Sequence, residues 1–235
     1  MTSVQRLPAR LGVLIPSTDT TAEQELPAFL GDAASFHVAR MRLSEVTPAG
    51  LASMDASALE AADLLADVSP DLVLFACTSG TFIKGPEHER WFAAQLAVRV
   101  TAPVITTAWS LAQVLPRHGR RIRLRTPYTQ DLTRLEADYL RTFGLEVTSS
   151  ACLGLTDDTA IADVTSHRLH ELAAGDDLAD MLLLSCTNLP SRSQLERVSK
   201  STGMPVISSN SASATVVGEV LTGRLAPLAR PPGRD

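Results

Sequence analysis

The 235-residue sequence predicts an α/β protein of two similar lobes, each a parallel sheet with helices on both faces. Three observations lead there. Short apolar runs end in turn residues, stretches with helical spacing lie between them, and the whole pattern recurs about a hundred residues further along the chain.

The runs fall at 11–15 (LGVLI), 36–41 (FHVARM), 72–76 (LVLFA), 104–107 (VITT), 122–124 (IRL), 146–151 (EVTSSA), 181–184 (MLLL) and 206–208 (VIS). Several are apolar throughout rather than alternating, as strands covered on both faces require. Amphipathic helices are predicted over 49–68, 86–100, 129–143, 159–174, 191–202 and 211–221, with a further one around 23–29 that Ser17 to Thr21 would cap. Arg123 and Arg125 place two charges on one run, which suits a strand that lines the cleft or, as the structural alternative, an edge or dimer-facing strand.

Three segments recur in the same order. LGVLIPS answers RIRLRTPY, aligning Pro16 with Pro127; DLVLFACTS answers DMLLLSCTN, aligning Cys77 with Cys186; and APVITTAWS answers MPVISSNSA, aligning Pro103 with Pro205. The implied lobes are 1–115 and 116–222, with part of the C-terminal helix packing on the first, and the Pro- and Gly-rich 223–235 is expected to be a flexible tail. The carboxyl ends of the two sheets would face one cleft, where α/β folds bind ligands.

Composition narrows the function. With 45% apolar and 20% charged residues the chain is globular, and 21 Lys and Arg against 26 Asp and Glu leave a net charge of −5, which argues against a nucleic-acid partner. Apolar runs are too short for a membrane span, and three cysteines form neither a disulfide framework nor a Cys-x-x-Cys metal motif, so a cytoplasmic protein with free thiols is expected. No metal site and no cofactor are expected, since the glycine-rich phosphate loops and the His-Glu-x-x-His pattern are lacking.

Cys77 and Cys186 each close an apolar run and precede Thr, at matched positions of the repeat. Backbone N–H groups at such a turn stabilise a thiolate, and two thiols across one cavity can act on opposite faces of a carbon or a double bond. Cys152 has no counterpart and reads as a packing residue. Hydroxyls and backbone amides after Pro16 and around Pro127, at Ser17, Thr18, Asp19, Thr20 and Thr21 in one lobe and at Thr126, Tyr128 and Thr129 in the other, are candidates for cradling a carboxylate.

With PSTDTT, ACTSG, TPYT and SCTNLP, the chain resembles the aspartate/glutamate racemase superfamily over most of 8–222, and above all its maleate cis-trans isomerase branch, with arylmalonate decarboxylases and ectoine-utilisation proteins as further relatives. The resemblance implies a cofactor-independent isomerase of a small carboxylate, usually dimeric, with Cys77 as nucleophile, Cys186 as acid and base, and Tyr128 with the backbone around Thr78, Ser79, Thr187 and Asn188 holding the substrate carboxylates. It also implies an Asn at the position of Asp19 and another near Thr159. An aspartate facing a dianion repels it unless protonated or turned away, and suits an amide or ammonium instead. The alternatives are an amino-acid or hydantoin racemase using the same thiols, a decarboxylase, against which Cys77 argues, and a binding protein without catalysis.

Overall fold

The eight apolar runs form eight strands in the computed structural model, which describes residues 8–233. One sheet holds β1 (Ala9–Pro16), β2 (Ala34–Met41), β3 (Leu72–Phe75) and β4 (Val104–Thr106) in the order β2-β1-β3-β4. The other holds β5 (Arg121–Thr126), β6 (Glu146–Cys152), β7 (Met181–Leu184) and β8 (Val206–Ser208) in the order β6-β5-β7-β8. All these pairs are parallel, with Leu11 opposite Leu72 and Ile122 opposite Met181. The two orders coincide when each strand is advanced by four, so the repeat in the sequence is a repeat in space. β3 and β7 are buried at every residue, which is why LVLF and MLLL carry no polar side chain.

Eleven α-helices occur among the described residues: α1 (Ala22–Leu30), α2 (Pro48–Ala52), α3 (Met54–Ala66), α4 (Thr78–Phe82), α5 (Gly85–Val100), α6 (Thr107–Val114), α7 (Gln130–Arg141), α8 (Asp158–Ala162), α9 (Ser166–Ala173), α10 (Leu195–Thr202) and α11 (Ser209–Leu221). Two expected helices are each broken in two. The 49–68 stretch divides at Ser53, and 159–174 divides before Thr165, whose hydroxyl accepts from Arg168 N–H and starts a new helix. Neither α4 nor α6 is among the predicted helices. α11 packs against α6, and it also lies on α1 and β3 of the first lobe.

Two further expectations are corrected. The stretch after Leu221 is not loose where it is described: Val104 N donates to Ala229 O at 2.9 Å, Ala229 N donates to Val104 O at 3.1 Å, and Ala229 is buried. The outer edge of β4 needs partners for its backbone groups, and this segment supplies them. Residues 234–235 of that stretch, like 1–7, lie outside the described residues.

β5 is central rather than at an edge, and Arg123 and Arg125 are buried in it. α9 ends at Ala173, and the loop that follows brings Asp177 Oδ1 to 2.8 Å from Arg123 Nε and 3.8 Å from Arg125 Nη2. Carbonyls of Ala174 and Asp177 accept from the same guanidinium groups.

Candidate active site

Each repeated cysteine stands two residues beyond the end of a buried strand, Cys77 after β3 and Cys186 after β7. Cys186 has φ near +150°, a backbone conformation that residues other than glycine seldom adopt. The two Cys-Thr corners meet at one hydroxyl. Ser209 Oγ, at the first residue of α11, accepts from Thr78 Oγ1 at 2.9 Å and from Cys186 N at 3.1 Å. Below it, Ser213 Oγ donates to Thr107 Oγ1 at 3.1 Å, joining α11 to α6.

Tyr128, just past β5, is buried at the same place. Its hydroxyl is held protonated by burial and then by the charges of Cys186, Glu136 and Cys77, so it faces both sulfurs. Thr78, Ser79 and Thr187 are buried there as well, with Ser79 Oγ 3.8 Å from Cys77 Sγ.

Neither thiol is poised as a thiolate in the free protein, contrary to the expectation from their turn positions. Burial pushes Cys77 up to about 12, against the opposing pull of Gly80 N–H and the Ser79 hydroxyl. Cys186 is raised well above an ordinary thiol, first by burial and then by Asp158. α4 is only five residues long, the sulfurs are almost dry, and the charged side chains acting on both are Asp158 and Asp19, which are negative.

Asp19 is fully buried. Its Oδ1 accepts from Thr21 N at 3.0 Å and Ala22 N at 2.8 Å, starting α1, while its Oδ2 has no hydrogen-bond partner. Burial, reinforced by Asp158, raises this carboxyl to about 7. Asp158 is buried too, accepts from Thr18 Oγ1 at 2.6 Å, and is likewise raised by burial.

Asp158, rather than Thr159, is therefore the α8 residue that enters the site. Asp157 caps α8 by accepting from Thr159 N, and the helix phase then turns Asp158 inward and Thr159 outward, where its hydroxyl donates to Asp157 Oδ1. Ser17 is also outside: it is exposed, and its hydroxyl accepts from Leu43 N at 3.2 Å.

Asn188 is brought to the site, but its side chain is spent on the protein. Its Oδ1 accepts from Thr20 N at 3.0 Å and Thr21 N at 3.2 Å, and its Nδ2 donates to Asp158 O at 2.8 Å, so it stitches the first lobe's loop to the second lobe. What it offers the centre is its backbone N–H, which faces Cys186. Glu25 makes a parallel stitch, accepting from Ser191 N, Arg192 N and Asn210 Nδ2.

Sequence reasoning did not single out Asp158, Ser209 or Glu136. Glu136 on α7 is buried, accepts from Ser185 Oγ through Oε1, leaves Oε2 unpartnered, and is raised by burial to about 8. A glutamate inside the buried face of an amphipathic helix was the visible signal for it, and the doubled Asp157-Asp158 at a helix start was the signal for Asp158.

The cleft expected between the two sheets is a seam in which both cysteines are buried. Cys77 is 3% and Cys186 6% exposed, and a surface hollow of about 670 Å³ lies away from them, between the start of β1, Pro103 and the end of α11. Another, of about 430 Å³, adjoins the outer side of the Asn188 stitch, at Thr20, Thr21 and Ala162. Two thiols, a tyrosine and the Gly80 and Asn188 N–H groups around one buried centre can add to and protonate a small unsaturated acid.

Comparison with known proteins accords with this arrangement. The arylmalonate decarboxylase family model matches residues 11–226. A maleate isomerase of Nocardia farcinica is 32% identical over 218 residues, 87% of each chain. Among solved structures, a cysteine-to-serine mutant of the N. farcinica maleate cis-trans isomerase carrying a covalently bound succinylcysteine intermediate superposes with a TM-score of 0.87 at 29% identity, covering 91% of this chain and 93% of that one. A cysteine-to-alanine mutant of a Pseudomonas putida maleate isomerase with maleate gives 0.86 at 30% identity, covering 91% and 92%.

Proposed function

The chain belongs to the arylmalonate decarboxylase family, and within it we propose that this protein is a cofactor-independent cis-trans isomerase of the maleate type, working through Cys77 and Cys186. The observation that carries the reading is the junction at Ser209: two equivalent Cys-Thr corners, one from each lobe, share its hydroxyl and face one buried tyrosine.

In this reading the Cys77 thiol first gives its proton to solvent, and its sulfur then adds to one alkene carbon while Cys186 gives its own proton to the neighbouring carbon. The former double bond is then single and rotates. Cys186 takes the proton back, the C–S bond breaks, and the trans acid leaves with both residues restored. Gly80 N–H near Cys77 and Asn188 N–H near Cys186 stabilise negative charge on whichever sulfur holds it. Retention of Cys77 is what separates this two-thiol route from decarboxylation, which needs only a single proton donor of this kind.

A small carboxylate as ligand, a homodimer and a cytoplasmic location complete the proposal. Exposed Leu64, Trp91 and Val98 on the neighbouring α3 and α5 support a second copy, and three unpaired cysteines suit a reducing compartment.

The test is the pair of variants Cys77→Ala and Cys186→Ser, assayed for cis-to-trans conversion of maleate and its derivatives. Each should lose activity by about a thousandfold or more while keeping the wild-type circular dichroism. Cys186→Ser should also trap one substrate on Cys77, visible by mass spectrometry. Either variant retaining full activity refutes the two-thiol route.

A further inference from the structure

We propose that the site prefers the monoamide of a cis-butenedioic acid to the diacid, with Asp19 Oδ2 receiving the amide N–H. This rests on the isomerase reading above and adds a substrate class to it.

The geometry begins at Asp19. Its Oδ1 is committed to the start of α1, whereas Oδ2 is buried and unpartnered beside both thiols. The Thr187 hydroxyl is close enough to ease the carboxyl's charge but completes no hydrogen bond to Oδ2. A buried acceptor left empty is costly, and a substrate that donates to it recovers that cost on binding.

The charges around Asp19 point the same way. From α8 it faces the Asp158 carboxyl, and from the ends of β3 and β7 the two thiols. Glu25 on α1 is occupied by Ser191, Arg192 and Asn210. Arg40 on β2 reaches only the carbonyls of Ser17 and Asp19 and the Glu23 carboxylate, on the exposed side of the loop, so its charge does not enter the site. A dianion would add two negative charges to a dry centre that already holds two carboxyls and must form a thiolate; the monoamide adds one.

The chemistry also favours the amide. A neutral amide withdraws electrons from the double bond more strongly than a carboxylate does. Cys77 sulfur therefore bonds to the carbon bearing the carboxylate, and the Cys186 proton goes to the carbon bearing the amide. After rotation that proton returns to Cys186, the C–S bond breaks, and the trans monoamide leaves, with no net change in oxidation state.

The experiment compares kcat/KM for the cis monoamide and for maleate at about pH 8.5, where Asp19 is ionised, in wild type and in Asp19→Asn. Asparagine keeps the Oδ1 cap and converts the empty acceptor into a donor. Wild type is expected to favour the monoamide by about tenfold or more, and Asp19→Asn to shift the ratio toward the diacid. Wild type treating the two alike, or favouring maleate, overturns the inference and leaves the isomerase reading standing. Wild type converting neither acid overturns both. Should Asp19→Asn fail to fold, wild-type affinities for the saturated analogues succinamate and succinate decide: tighter binding of succinate overturns the inference.

Discussion

At the scale of single residues, the buried carboxyls are what distinguish this centre. Glu136 titrates near 8 because burial disfavours its charge, and Asp19 near 7 for the same reason. In the unfolded chain both would ionise at ordinary carboxyl values, so between those values and 7 to 8 the folded state binds more protons than the unfolded one. The contribution of these two carboxyls to stability is therefore full at low pH, declines as pH rises through that window, and levels off above about 8. Glu136→Gln, which mimics the protonated form, should accordingly raise the melting temperature little at pH 5 and by several degrees at pH 9, a gain on the order of a few kcal/mol readable by calorimetry at the two pH values. The repeated cysteines were legible in the sequence because two Cys-Thr pairs stand at matched strand ends of an internal repeat. The direction of their titration was not, since it depends on how dry the seam is and which carboxyls face it. The exchange of Thr159 for Asp158 has the same origin: one capping residue sets the phase of a short helix, and sequence spacing alone does not show which residue caps.

At the scale of elements, the start of α11 carries the junction. Replacing Ser209 by Ala leaves Thr78 Oγ1 and Cys186 N–H without their shared acceptor in a buried place, costing about 1 to 3 kcal/mol and releasing the strained turn at Cys186. The expected outcome is a lower midpoint in urea together with a fall in kcat larger than in kcat/KM for any surface serine control, such as Ser193→Ala. The strands were readable since a four-residue run such as MLLL has no other way to bury both its faces. α6 was not, because VITTAWSLAQV passes from strand to helix without a Gly, Pro or charged residue, and the Thr106 hydroxyl accepting from Trp109 N marks the boundary. The same ambiguity hid the breaks at Ser53 and before Thr165.

At the scale of the whole molecule, the two sheets repeat each other, yet the lobes are not independent. α11 follows β8 in the chain but packs on α6, α1 and β3, and Asn188 and Glu25 tie the lobes at their loops. The internal repeat made the twofold plan readable, whereas the stitches across the seam join residues more than 160 apart and leave no local pattern. A fragment of residues 1–115 should therefore lack a cooperative thermal transition, while mixing or co-expressing it with the remaining chain should restore one.

That exchange of α11 also bears on how the protein is made. The helix that covers α6 begins 95 positions after α6 ends, so during synthesis the first half waits with the faces of α6 and α1 that α11 packs on uncovered. A nascent chain in that state presents apolar surface for several seconds at ordinary translation rates, the condition in which partly made chains are prone to aggregate.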